Sequence, residues 1–172
     1  MTITRRATPP PSAFLADLAI SYYWDSFEAP LTRAELGMRD LYLAIFAHHP
    51  WWAKLLLLVR SYLVAPFGLK GTTFADLYTP QAKTGHAVGE KIGNFLLFAQ
   101  NDRELIAGGN DKHLDFRVSV LKLIEGGNSK IVLSTAVTPH NFFGRAYLFV
   151  ILPFHRLGVR TIMANAVAAQ RL

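Results

Sequence analysis

The sequence has no cysteine. Disulfides, thiolate catalysis and cysteine-ligated zinc or iron–sulfur centres are therefore excluded, and a metal would need histidine and carboxylate ligands. Acidic residues are also few, because 12 Asp and Glu stand against 18 Lys and Arg, which gives a formal net charge of +6. The basic residues are scattered instead of gathered into one run. We therefore predict no bound metal and no nucleic-acid partner.

The chain also lacks a long uncharged hydrophobic run. Its most apolar stretch, residues 51–69, contains Lys54 and Arg60 and is interrupted by Pro66, whereas a membrane-spanning helix needs about 20 mostly uncharged residues. The N-terminus has no apolar core of the kind that an export signal requires. We predict a cytoplasmic protein, although the pair Trp51 and Trp52 would suit contact with a membrane surface.

The chain does contain enough apolar residues for one domain with its own core, since 51% of its 172 residues are hydrophobic. Residues 13–19 have the pattern of a short helix, and residues 20–29 that of a strand in which Tyr23, Asp25 and Phe27 share one face. Thr32 and Glu35 have the spacing of a capping box, which predicts a helix over residues 33–47. A second short helix is predicted with Pro50 in its first turn, and it should end near residues 66–68.

Strand-like alternation dominates the second half of the chain until a long amphipathic segment ends it. Four runs are separated by Gly, Asn and Asp, as in hairpins; the runs are residues 92–99, 104–107, 114–124 and 130–138. The last segment, residues 145–172, has apolar residues at helical spacing. The order predicts an α+β fold in which an antiparallel sheet packs along a long C-terminal α-helix, with two short helices after the first strand. We expect one domain over residues 13–172 and a disordered segment over residues 1–12.

Several short segments carry a resemblance to a known family. They are residues 23–27 (Tyr-Trp-Asp-Ser-Phe), 113–117 (His-Leu-Asp-Phe-Arg), 144–148 (Gly-Arg-Ala-Tyr-Leu) and 153–156 (Pro-Phe-His-Arg). With the order of elements, they resemble an uncharacterised bacterial family, domain of unknown function 2867. That family looks like a member of the START, Bet v and polyketide cyclase-like superfamily (SRPBCC), and the resemblance covers residues 14–163.

The resemblance implies a helix-grip fold, in which a curved antiparallel sheet wraps around the last helix and leaves a chamber for an apolar or amphipathic molecule. The family is also similar to domains appended to dehydrogenase-like nucleotide-binding proteins. This chain has no Gly-x-Gly-x-x-Gly unit, so we infer no nicotinamide cofactor and no other cofactor. The superfamily contains both binders and enzymes, so the fold does not decide the function.

Alternating polar residues mark one face of the strand after His113. On this face Asp115 and Arg117 are placed to orient the carbonyl or carboxylate of a ligand, if the face lines a chamber. The alternative is an ordinary solvent-exposed sheet face with cross-strand ion pairs.

His155 falls within the apolar stripe of the C-terminal helix and should face the sheet. Paired with Glu104 or Asp115, it would serve as a general acid or base; the alternative is a core histidine bonded to a backbone carbonyl or a Tyr hydroxyl. Arg145, Arg156 and Arg160 fall largely on the other side of the helix. Asp25, among aromatic residues, either faces a ligand or anchors the first strand.

We therefore predict a protein that binds a hydrophobic or amphipathic small molecule between sheet and helix. Its expected ligand contacts are Asp115, Arg117, His155, Tyr23, Phe27, Phe95, Phe116, Leu148 and Ile151. One alternative is a cyclase-like or dehydratase-like enzyme that uses His155 with Asp115 or Glu104. Another is a module that docks on a dehydrogenase-like protein or a membrane. The sequence leaves open whether the chain is an enzyme and in which oligomeric state it exists.

Overall fold

The computed structural model describes residues 3–7, 12–48, 87–93 and 95–172 of the chain. We number the strands and helices within these residues in chain order. They are β1 (Thr4–Arg5), α1 (Leu15–Ile20), β2 (Tyr23–Pro30), α2 (Met38–Phe46), β3 (Lys91–Ile92), β4 (Phe95–Gln100), β5 (Glu104–Asn110), β6 (Leu114–Glu125), β7 (Asn128–Pro139) and α3 (Phe142–Ala168). Strand β1 lies within the segment that the sequence predicts to be disordered.

The described strands form one antiparallel, curved sheet in the order β1-β2-β7-β6-β5-β4-β3. Strands β3 to β7 follow one another as a meander. Strand β2, which precedes them in the chain, pairs with β7 along the whole length of β2. The β6–β7 turn is formed by Gly126 and Gly127, whose φ angles of 59° and 77° suit glycine. The predicted hairpin chemistry therefore explains the register of the two longest strands.

One face of the sheet, which we call the inner face, packs against α2 and α3. Phe27, Val118 and Leu133 of the sheet share a buried core with Tyr42 of α2 and Met163 of α3. Because side chains alternate across a strand, every second residue of β2, β6 and β7 faces this core. The α+β helix-grip architecture predicted from the sequence is confirmed.

The opposite, outer face is partly covered by the N-terminal segment and α1. Phe14, which is fully buried, packs there against Ile106 of β5 and Ala136 of β7. The sheet therefore has a thick helical layer on one side and a thin cover on the other.

The predicted start of α2 is wrong. The helix begins at Met38, and its N-cap Gly37 makes no side-chain capping bond. Thr32 does not cap it, because its hydroxyl donates to the backbone carbonyl oxygen of Leu172. The second predicted helix, from Pro50 to about residue 66, lies outside the described residues, and so does the pair Trp51 and Trp52.

Helix α3 has 27 residues and a sharp beginning, where the side chain of Asn141 accepts a hydrogen bond from the backbone nitrogen of Gly144 at 2.9 Å. Among the described residues it is the one helix long and apolar enough to cross a membrane, judged by length and a mean hydropathy of 1.2 alone. Its residues Val159, Ile162 and Met163 pack on the sheet instead. A cytoplasmic location stays a prediction.

Candidate functional site

Two charged side chains are buried within the described part of the chain, one on each face of the sheet. Glu104 lies on the outer face, and Asp25 lies on the inner face with no exposed surface. A buried carboxylate is costly unless hydrogen bonds or opposite charges compensate for its lost hydration. The partners of these two carboxylates therefore indicate what each does.

Glu104 fixes the chain's N-terminal segment to the sheet. Its carboxylate accepts hydrogen bonds from the hydroxyls of Ser12 and Ser119, at 2.8 and 2.5 Å, and from the backbone nitrogen of Ala13 at 2.8 Å. Hydroxyl and backbone donors satisfy this group without any titratable partner. Glu104 is therefore a structural anchor.

Asp25 is held by side chains that can titrate. The hydroxyl of Tyr23 donates to Oδ2 of Asp25 at 2.5 Å, and Nε2 of His155 lies 3.4 Å from Oδ1. Nε of Arg156 donates to the hydroxyl of Tyr23 at 3.1 Å. Residues Tyr23, Asp25, His155 and Arg156 form what we call the Asp25 cluster.

The cluster passes from the buried interior to the surface. The side chain of Asp25 is 1% exposed, whereas that of His155 is 26% exposed and Arg156 lies at the surface. The edge of one ring meets the face of the other between Tyr23 and His155, with centroids 6.4 Å apart. Solvent or a bound molecule can thus reach the imidazole while the carboxylate behind it stays dry.

The electrostatics fix the direction of the hydrogen bond between Tyr23 and Asp25. Burial, and then the hydrogen bond to Asp25, raise the pKa of Tyr23 to about 12. The hydrogen bond to the Tyr23 oxygen raises the pKa of Arg156 above its usual value. Tyr23 therefore stays protonated at neutral pH and donates to Asp25.

Packing differs between the two halves of α3. Around the Asp25 cluster, buried Leu148 packs with the partly buried side chains of Tyr147, Ile151 and Leu152. In the second half, by contrast, fully or nearly fully buried side chains close the layer against the sheet; they are Val159, Ile162, Met163 and Ala166. The first half is therefore the less tightly closed part of the helix–sheet interface.

The structure does not bring Asp115, Arg117 or Glu104 to His155, which corrects that part of the sequence analysis. The register of β6 with β5 and β7 places these three residues on the outer face, whereas His155 contacts the inner face. Asp115 pairs instead with His140, whose Nε2 lies 3.2 Å away.

Arg117 is held by its own surroundings on the outer face. Its guanidinium stacks 3.7 Å from the ring centroid of Phe98 and donates to the backbone carbonyl oxygens of Gly109 and Phe116. Asp115 and Arg117 thus have local partners, as the alternative interpretation of an ordinary sheet face expects.

The predicted apolar contacts divide between the cluster and the main core. Tyr23, Phe116, Leu148 and Ile151 belong to the apolar group beside the Asp25 cluster. Phe95 packs on Phe116, with ring centroids 5.1 Å apart, and Phe27 is buried in the main core. The sequence pattern does not predict the pairing of Asp25 with His155, or the contact that exposed Arg156 makes with Tyr23.

Two surface clefts lie elsewhere. One of about 470 Å³ is lined by the end of β2 and the β6–β7 turn, and one of about 530 Å³ lies between Ser12 and the β4–β5 turn. Within the described ranges, no group of three or more His, Asp or Glu side chains is placed to hold a metal ion. The Asp25 cluster is thus the best candidate site that these residues form.

Comparison with known proteins gives a family but no characterised relative. The family described as protein of unknown function (DUF2867) matches residues 18–162, which is most of the chain. No curated protein and no solved structure matches.

Proposed function

We propose that this chain, which belongs to the DUF2867 family of proteins of unknown function, binds an apolar or amphipathic small molecule between its sheet and the first half of α3. The molecule's polar group contacts the Asp25 cluster. One observation carries the proposal: a fully buried carboxylate on the core face of the sheet is held by a partly exposed histidine. Membership of the START-like SRPBCC superfamily and a bacterial origin are part of the same proposal.

The chemistry of the cluster favours a ligand with an anionic or hydrogen-bonding head. Arg156 supplies an exposed positive charge, and His155 supplies a donor or acceptor beside it. The partly buried Tyr147, Ile151 and Leu152 provide apolar contacts for the rest of the molecule. Ligand sites commonly combine a mostly apolar lining with a few such polar groups.

Native and denaturing mass spectra of the freshly purified protein test this proposal. We expect the native spectrum to show an excess mass from a non-covalently bound molecule. Arg156→Gln should reduce the fraction of protein that carries this molecule, and Arg160→Gln, one turn further along α3, should leave that fraction unchanged. As a defined probe, decanoate should shift the imidazole NMR signals of His155 and those of no other described histidine. Unshifted His155 signals together with the absence of any excess mass would contradict the proposal.

A proton-transfer enzyme is the second candidate, and the position of His155 is the observation that favours it. The buried carboxyl group of Asp25 lies 3.4 Å from the partly exposed imidazole and orients the ring. Such a ring can give a proton to, or take one from, a molecule bound at the surface of the cluster. Cyclisation or dehydration of a carbonyl-containing substrate would use this chemistry, with Asp25 in the role that we had expected of Asp115 or Glu104.

Deuterium exchange separates binding from catalysis. The molecule released from the protein would be incubated in D₂O with wild-type protein and with His155→Gln. An enzyme of this kind should place deuterium on a carbon of the molecule, and the variant should not. Equal exchange with both proteins would remove His155 from the reaction, while binding measured by mass spectrometry would still stand or fall separately.

A dehydrogenase-like protein partner stays a prediction.

A further inference from the structure

Helix α3 exposes a row of large apolar side chains on the face turned away from the sheet. We call this row the α3 stripe; its members and exposed fractions are Phe142 85%, Phe149 81%, Val150 63%, Leu157 57% and Phe154 46%. They recur at helical spacing, so they lie on one face of the helix. None of them belongs to the three apolar clusters of the described core. Large apolar patches of this kind mark interaction surfaces.

A basic edge accompanies the α3 stripe. Arg145, Arg156 and Arg160 are exposed on the same helix, and the sequence has no Asp or Glu anywhere from residue 126 to residue 172. Tyr22, 66% exposed, lies beside the stripe with its ring centroid 5.6 Å from the guanidinium carbon of Arg145. The surface therefore combines apolar, aromatic and positively charged groups and lacks negative ones on the helix.

We propose that the α3 stripe rests on an anionic lipid surface. Helices that lie in a membrane interface bury an apolar face at the boundary of headgroups and acyl chains, and their basic residues contact anionic lipids. The other face of α3 stays packed on the sheet, so the contact is peripheral. Arg156 also belongs to the Asp25 cluster, so the tests below leave it unchanged and alter Arg145 and Arg160.

Charge favours lipid over a second copy of the chain. Two α3 helices packed face to face would bring their arginines together without an acidic residue on either helix to pair with them. An anionic bilayer supplies the negative charge that the surface lacks.

Sedimentation with vesicles tests the apolar part of the proposal. The whole chain should pellet at low salt with vesicles of equal parts phosphatidylglycerol and phosphatidylcholine. The double variant Phe142→Ser/Phe149→Ser should bind at least about tenfold more weakly, because each ring loses its transfer from water. The control Ile124→Ser removes an apolar side chain of comparable exposure, 76%, from the β6–β7 hairpin and should bind like the wild type.

Charge is tested with the same vesicles. Arg145→Gln/Arg160→Gln should weaken binding, and Arg103→Gln, which changes an exposed arginine of the β4–β5 turn, should not. Pure phosphatidylcholine, or salt at about 1 M, should release the wild type. The proposal is overturned if the wild type stays in the supernatant, or if the double phenylalanine variant binds as the wild type does. It is also overturned if size-exclusion chromatography shows a dimer that this variant turns into a monomer.

Discussion

Tyr23→Phe removes the hydroxyl that donates to the buried Oδ2 of Asp25 and leaves the aromatic ring in place. The oxygen atoms are 2.5 Å apart, and the Asp25 side chain is 1% exposed, so water has little access to replace the lost donor. A hydrogen bond to a charged group contributes roughly 1.5–3 kcal/mol, and a buried acceptor left without its donor costs a comparable amount. We expect the free energy of unfolding to fall by about 2 kcal/mol.

The neighbouring residue offers a matched control. Tyr22→Phe makes the same chemical change at a side chain that is 66% exposed, and it should alter the free energy of unfolding by less than about 0.5 kcal/mol. Urea unfolding followed by circular dichroism measures both variants. A double-mutant cycle of Tyr23→Phe with Asp25→Asn should give a coupling energy of about 1 kcal/mol or more. Equal stability of the two tyrosine variants, with no coupling, would contradict this prediction.

The pH dependence provides a second test of the same contact. The pKa of Tyr23 in the folded protein is raised from 10.0 to about 12. The stability that comes from its protonated hydroxyl is therefore fully present below the unfolded value, and it is lost as the pH rises through the folded value. Ultraviolet titration of phenolate should show a tyrosine that titrates near pH 12 and that disappears in Tyr23→Phe but persists in Tyr22→Phe. Burial raises the pKa of Tyr42 further, so that tyrosine titrates later still in all three proteins. Loss of an ordinary titration in Tyr23→Phe would argue against a buried, hydrogen-bonded Tyr23.

Three further predictions concern the scaffold. Gly108→Ala should lower the free energy of unfolding by about 2–3 kcal/mol, and with it the thermal unfolding temperature, because a β-carbon there would lie 2.2 Å from a backbone oxygen of β6. Gly158→Ala should instead raise the unfolding temperature, because its β-carbon meets open space. Asn141→Ala should cost about 1 kcal/mol in urea unfolding through loss of the α3 N-cap, and an unchanged midpoint would contradict this. Hydrogen bonds from Arg6 and then Lys130 lower the pKa of Glu125 from 4.5 to about 2. The stability that these bonds provide is therefore present above pH 4.5 and lost as the pH falls toward 2. In acid unfolding experiments, Glu125→Gln should not show this loss of stability.

The sheet could be predicted from the sequence because burial of one face enforces a period of two. In β6 apolar and polar residues alternate from Leu114 to Val120, and glycines that accept positive φ mark the turn to β7. The start of α2 could not be predicted, because the hydroxyl of Thr32 bonds to the backbone of Leu172, at the other end of the chain. A capping pattern is local in sequence, so it does not reveal a distant backbone oxygen that the tertiary fold brings to the capping hydroxyl.

The site could be predicted only in part, since alternation separates two faces of a strand without saying what each face meets. On β6 the polar set of Asp115 and Arg117 faces away from α3 and finds local partners. Strand β2 carried a better signal: Phe27 must face the core, so Asp25, two residues before it, must do so too. His155 is likewise the polar residue in the apolar stripe of α3. Asp25 is the carboxylate on the core face of its strand, and His155 is the imidazole on the core face of its helix. When the two elements pack, these two polar groups compensate each other's lost hydration. Their separation of 3.4 Å marks the candidate site.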